Sequence, residues 1–251
     1  MRQYIFVMRE LVAREVKRKY ARSYLGILWS ILDPLLNMAV MSLIFSTMFR
    51  RNIENYPIYL LTGRIFWSLF TGATNSAMTA LVNNKTMLIK VKLPMEIFPL
   101  SRSVTALVNF GYSTLAYLLM LIVFRVSFNR YMLLLPVFAG GLFLFSVGIG
   151  YILSVLYVFF GDVQHLYSVL LMIWMYLTAL FYPISSTPVL MQKVIKHNPV
   201  YNYIACARKC VLEGAPPTAD EWARVFIWSV GMYIVGKMYF EKQRSKVLQK
   251  V

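Results

Sequence analysis

Residues 231–238, GMYIVGKM, carry the glycine, four-residue gap, glycine and lysine of a loop that cradles phosphates. Such a loop also needs a hydroxyl after its lysine to hold magnesium, and it joins a strand to a helix. Here Met238 follows Lys237 and the run has the apolar character of a lipid-facing helix, so it predicts no nucleotide site. Cys206 and Cys210 are the only cysteines, and their spacing fits one face of a helix better than a bridge or a metal site. They are expected to be small packing residues. No His, Cys, Asp or Glu group has metal-ligand spacing. What stands out is Asp33 and Arg64, charges inside apolar blocks, where each costs several kcal/mol unless it is paired or wetted.

Those blocks define the fold class. With 59% hydrophobic residues and a mean hydropathy of +0.60 over 251 residues, the chain is more apolar than a soluble core of its size can hide. The apolar residues run in long blocks rather than alternating, which predicts helices instead of a closed barrel. The expectation is an all-α integral membrane protein: one transmembrane domain over residues 1–251 with six spans, near 25–49, 58–82, 104–124, 131–160, 166–184 and 222–240. Each block approaches or exceeds the ~20 residues that cross a ~30 Å hydrocarbon core. Gly140, Gly141, Gly148 and Gly150 suggest a bend in the fourth span.

The net charge of +16 does not indicate a nucleic-acid binder, because Lys and Arg flank the apolar blocks instead of forming one soluble face. An anionic membrane surface or an anionic lipid-linked substrate suits them better. The N-terminal stretch, the bridge at 83–99 and the C-terminal tail gather most of the 26 basic residues, which places both termini in the cytosol. Arg9, Glu10, Arg14 and Glu15 interrupt any signal-peptide core. In this topology His165 and His197 lie on opposite sides of the membrane and no paired acids share a span, so no catalytic constellation is expected.

Three segments invite function. Residues 1–22 predict an interfacial amphipathic helix, with Ile5, Met8, Val12, Val16 and Tyr20 on its apolar side and Arg14, Lys17, Arg18 and Arg22 available to an anionic lipid head. The cytosolic bridge at 83–99 predicts a short amphipathic helix, ended by Pro94, that meets a soluble partner. The outer segment, 185–221, predicts two helices too short to span, in the pattern of a re-entrant or interfacial pair. Within the membrane, ~1.5 Å per residue leaves Asp33 and Arg64 on the order of 7 Å apart in height, close enough to pair; otherwise Arg64 snorkels outward and Asp33 meets water. Gly72, Ser76 and Ala80, with Ala73 and Ala77 beside them, form a small-residue seam. Trp174, Tyr176, Phe181 and Tyr182 are belt or core residues, or stack on sugar faces along a channel.

The sequence resembles the permease subunits of type-2 ABC exporters for lipid-linked polysaccharides (capsule, O-antigen and teichoic acid) over nearly its whole length. The resemblance is carried by KRKYARSYLGILWSILDPL at 17–35, FWSLF at 66–70, LIKVKLPMEIFP at 88–99, LFYPIS at 180–185 and the Asn198-Pro199 pair. It implies that 1–22 is a gate helix and that 84–94 is a coupling helix seated in an ATPase subunit, with Asn84, Lys85, Met87, Leu88, Lys90, Val91, Lys92, Leu93 and Pro94 as the coupling residues. It further implies two permeases and two ATPases per complex, with ATP and magnesium on the ATPase, and outer re-entrant helices closing the channel. The chain departs from the family pattern at Gly161, before Asp162, where many relatives carry Arg, and at Arg64, where an apolar residue is more usual.

The function expected is therefore ATP-driven export of a polyprenyl-phosphate-linked glycan across the bacterial cytoplasmic membrane, by a permease with no ATPase site of its own. A drug or small-lipid exporter permease, an intramembrane transferase and a membrane scaffold are the alternatives.

Overall fold

A computed structural model describes residues 2–21, 24–49, 53, 55–90 and 93–250, without side chains at 2, 3, 27, 46–49, 89 and 90. Among the described residues there is no strand. Eleven α-helices follow one another: α1 Arg2–Tyr20, α2 Trp29–Phe49, α3 Tyr56–Met78, α4 Ala80–Asn83, α5 Lys85–Lys90, α6 Ile97–Val123, α7 Leu135–Phe159, α8 Val163–Tyr176, α9 Val189–His197, α10 Pro199–Arg208 and α11 Ala219–Lys250. Two helical stretches, Ile97–Val123 and Arg130–Phe159, are long and apolar enough to cross a membrane; Trp29–Phe45 and Val163–Tyr176 are shorter apolar helices.

Local chemistry sets several boundaries. Pro57 and Pro136 stand in the first turns of α3 and α7, where a missing N–H leaves no helical bond unmade. Asn198 caps α10 by accepting from the Val200 amide at 3.0 Å, with Pro199 next in line. Thr218 and Glu221 form a capping box at the start of α11: Glu221 Oε2 accepts from the Thr218 amide at 2.6 Å, and Thr218 Oγ1 accepts from the Glu221 amide at 3.3 Å.

α3 is the hub of the bundle, packed between α6 and α7, and α11 lies along α7. α7 is one continuous helix, and three of its glycines, Gly141, Gly148 and Gly150, stand where neighbours approach closely, whereas Gly140 faces open space. A Cβ on Gly148 would come within 2.3 Å of the Met232 carbonyl oxygen, and one on Gly236 within 2.1 Å of the Gly148 carbonyl oxygen, so the α7 and α11 backbones touch. That contact accounts for Gly236 of the GMYIVGKM run, which lies wholly inside α11, whereas Gly231 faces open space.

The buried side chains form two clusters. The larger, around Phe66, Phe70, Phe138, Phe145 and Tyr203, fills the bundle; the smaller joins Leu11 of α1 to Leu81, Phe98, Tyr151, Phe240 and Val247. α1 meets this second cluster through Tyr4, Val7, Met8 and Leu11, with Glu15 next along the same stripe, while Ile5 is 63% exposed. The inward face is thus rotated by about one residue, roughly 100°, from the predicted apolar side. A buried partner for Glu15 sets this rotation, which apolar spacing alone does not reveal.

Other helix limits also differ from the predicted ones. α6 begins at Ile97, ahead of the span predicted from 104, and α11 runs on to Lys250, past the span predicted to end near 240, with Val247 fully buried. The helix of the fifth apolar block, α8, stops at Tyr176, short of the predicted 184; beyond it the chain turns, with Ala179 at φ 48°. The unwound carbonyls find their partners in other helices.

Candidate functional site

One junction is built from the end of α1, the corner between α4 and α5, and the start of α6. Arg14 Nη2 donates to Asn84 Oδ1 at 2.8 Å, and Asn84 Nδ2 donates back to the Ala80 carbonyl at 2.8 Å. One side chain thereby holds the end of α4 and receives α1. Glu15, 7% exposed, pairs with Arg102 of α6 and lies 3.7 Å from Arg14. A carboxylate so enclosed is tolerable only with its cations in place.

On α5, Met87 and Leu88 pack toward the smaller cluster, whereas Lys85 is exposed. Leu93 is half-buried and Pro94 exposed. Val91, Lys92, Arg22 and the Lys90 side chain lie outside the described residues. Lys237 of α11 reaches Glu96 at 3.7 Å, tying the same corner to α11.

Above the junction, the Tyr20 hydroxyl bonds to Ser30 Oγ and donates to Asn109 Oδ1 at 2.9 Å, fastening α1 to α2 and α6. A cavity of about 500 Å³ lies between these helices and α3, and its walls include Lys19, Trp29, Asp33, Arg64, Asn75 and Asn109. Asp33 and Arg64 thus share a cavity, yet they form no ion pair. Arg64 Nε is buried with no hydrogen-bond partner among the described residues. A second cavity of about 470 Å³ shares Lys19, Gly72, Ala106 and Asn109 with the first and adds Glu15, Arg18 and Arg102. Lys17 is exposed and lines neither. Of the small-residue seam, Ala73, Ala77 and Ala80 are fully buried, while Gly72 and Ser76 line the cavities.

At the other end of α3, a buried arginine holds the turn after α8. Arg208 donates from Nη1 to the Ala179 carbonyl at 3.0 Å, from Nη2 to the Leu180 carbonyl at 2.9 Å and from Nε to the Tyr59 carbonyl at 3.1 Å. Its guanidinium lies 3.4 Å from the centre of the Tyr59 ring. Asn198 Nδ2 serves the Leu177 carbonyl at 2.9 Å, and the Tyr56 and Tyr59 hydroxyls serve those of Phe181 and Tyr182, each at 2.8 Å. The carbonyls of Leu177, Ala179, Leu180, Phe181 and Tyr182 thus each have a donor, as irregular backbone away from water requires.

The predicted channel aromatics belong to this assembly. Trp174 Nε1 donates to Asn198 Oδ1 at 2.8 Å, Phe181 stacks on Phe45, and the Tyr182 hydroxyl donates to the Tyr176 carbonyl. None of the four lines either cavity. Gly161 and Asp162 are exposed at the break between α7 and α8.

The junction, the cavities and the held turn lie within residues 7–212, the span matched by the model of the ABC-2 type transporter family. The chain belongs to the ABC-2 type transporter family. Similar relatives cover it almost end to end. An O-antigen export system permease protein RfbA from Myxococcus xanthus is 29% identical over 99% of this chain and 96% of its own length. One from Klebsiella pneumoniae is 28% identical over 93% and 90%. A polysialic acid transport protein KpsM from Escherichia coli is 24% identical over 81% and 80%.

In this ABC-2 chain the structure brings Arg14 to Asn84, and Arg18 to the second cavity, while Trp174 and Phe181 sit apart from both. Sequence reasoning did not single out Arg208. The available signal was the pair Arg208 and Lys209 within the otherwise apolar run IACARKC. It also missed Glu15, Arg102 and Asn109, whose roles depend on contacts across long stretches of chain.

Proposed function

We propose that this chain is the membrane-spanning subunit of an ATP-driven exporter that moves a lipid-linked polysaccharide across the bacterial cytoplasmic membrane. The observation that carries this is the similarity, over almost its whole length, to permeases named for O-antigen export, joined by one named for polysialic acid transport. The cavities beside α3 supply hydroxyls, amides and charges of the kind that accommodate sugars.

In this proposal the apolar helices α2, α3, α6, α7, α8 and α11 are the six spans, both termini are cytosolic, and α9 and α10 form the outer re-entrant pair. Two copies of the chain work with two ABC ATPase subunits, which bind the ATP and magnesium. α5 and its flanks, from Asn84 to Pro94, meet the ATPase. The hydrogen bond from Arg14 to Asn84 is a direct route by which motion of that corner reaches α1. The basic residues Arg14, Lys17, Arg18 and Arg22 face the anionic lipid head of the substrate as it enters.

Deleting the gene tests the exporter role. Surface glycan should vanish while lipid-linked glycan accumulates on the cytosolic leaflet, and the plasmid-borne gene should reverse both. Unchanged surface glycan would refute the proposal.

A further inference from the structure

The two cavities read as one polar track. They share four residues, and α3 contributes Arg64, Ser68, Thr71 and Asn75, a stripe at steps of three and four that occupies one helix face. From Asn75 to Arg64 the stripe climbs about 16 Å at the ordinary helical rise. α6 faces it with Asn109 and Ser113. Ser68 and Asn75 are exposed and Arg64 and Thr71 half-buried, so the stripe lies along an open face of α3, where polar groups beside apolar helices call for water or a polar ligand.

The charges along the path are mostly positive. Arg18 and Lys19 stand at one end and Arg64 at the other, while Glu15 is already neutralised by Arg102. Asp33 is the remaining acid and is not paired with Arg64. The guanidinium of Arg64 makes no hydrogen bond or ion pair among the described residues, and its Nε is shut away from solvent. A cation left with free donors in a polar cavity is poised for an oxyanion. The exposed Trp29 ring, the hydroxyls and the amides beside it suit sugar faces and sugar hydroxyls.

We infer that this track takes an anionic glycan, and that Arg64 binds the carboxylate or phosphate that the sugar chain carries. The inference rests on the exporter proposal and narrows its substrate class to a charged polysaccharide. Asp33 accepts hydrogens from sugar hydroxyls and leaves the wall with a net positive charge.

The test uses the permease with its ATPase in lipid nanodiscs, with tetragalacturonate as the charged probe and cellotetraose as the neutral one. The native complex should bind tetragalacturonate about tenfold more tightly than cellotetraose, the difference expected of one charge-assisted contact. Arg64→Gln should bring the two affinities within about twofold of each other by weakening only the charged probe, and Arg64→Lys should restore part of the difference. An unchanged Tm for both variants would show that folding is not the cause. Equal affinities in the native complex, equal weakening of both probes by Arg64→Gln, or binding of neither probe would overturn the inference. So would an effect of Arg64→Gln confined to retention of phosphatidylglycerol, which would make the track a lipid site. The exporter proposal fails separately, by normal surface glycan in the deletion strain.

Discussion

Arg14 and Asn84, seventy positions apart in sequence, are joined by a 2.8 Å hydrogen bond that links the N-terminal helix to the corner between α4 and α5. Asn84 is 8% exposed and its amide is committed to the Ala80 carbonyl, so its oxygen has a fixed direction. The corner at α5 is thus joined to α1 by a polar bond in addition to the apolar cluster that both helices share.

That bond should govern coupling more than folding. Asn84→Ala or Arg14→Ala should lower glycan transported per ATP by about tenfold, the effect of losing one hydrogen bond to a charged group. The double variant should lose clearly less than the two single losses combined, because both remove the same contact. Transport and hydrolysis measured together in vesicles check this; additive losses would mean that the two side chains act separately.

Arg208 and Gly63 should behave as a unit of stability. Arg208→Ala strips partners from the Ala179 and Leu180 carbonyls and should destabilise the protein by about 3 kcal/mol or more. Gly63→Ala places a Cβ 2.5 Å from Nη2 of a guanidinium pinned on three carbonyls, so it should also lower Tm. Arg208→Lys should rescue little, since an ammonium cannot reproduce the planar fork. Thermal unfolding in detergent reads all three.

The α11 cap predicts a pH dependence. Burial pushes the Glu221 carboxyl up, but the Thr218 amide and Lys209 outweigh it and hold the group below the usual carboxylate range. A depressed carboxylate gives stability that is present above its unfolded value near 4.5 and is lost as pH falls through the folded one. Lys209, raised by its bond to Glu221, gives stability that is present below 10.5 and is lost as pH rises through its folded value. Tm should therefore fall below pH 4.5, and Glu221→Gln should lower Tm at neutral pH and flatten that acid limb. Thr218→Ala should cost about 1 kcal/mol throughout.

Topology is open to single-cysteine labelling. Cys206 and Cys210 are buried, so background reaction should be small. With six spans, a cysteine at exposed Lys85 should react only from the cytosolic side, and one at exposed Lys193 only from the outer side. Reaction of both from the same side would remove the six-span arrangement.

Apolar block length made the all-helical class and most helix positions legible in the sequence. The halt of α8 at Tyr176 was not, because the block stays apolar to Ile184 and its unwound carbonyls depend on Arg208, Asn198, Tyr56 and Tyr59, all distant in sequence. The orientation of α1 was hidden for a related reason: Glu15 turns inward to meet Arg102, which overrides the apolar spacing. Asp33 and Arg64 were recognisable as costly charges within apolar blocks. That they share a cavity without pairing follows from the packing of α2, α3 and α6, which spacing along one helix does not encode.

The most direct test is transport itself. The chain and its ABC ATPase should be reconstituted in vesicles with the ATPase facing outward and a lipid-linked glycan in the outer leaflet. Appearance of the glycan in the lumen, only with hydrolysable ATP and magnesium, is the predicted result. Glycan that stays on the outer leaflet while the bound ATPase turns over would contradict it.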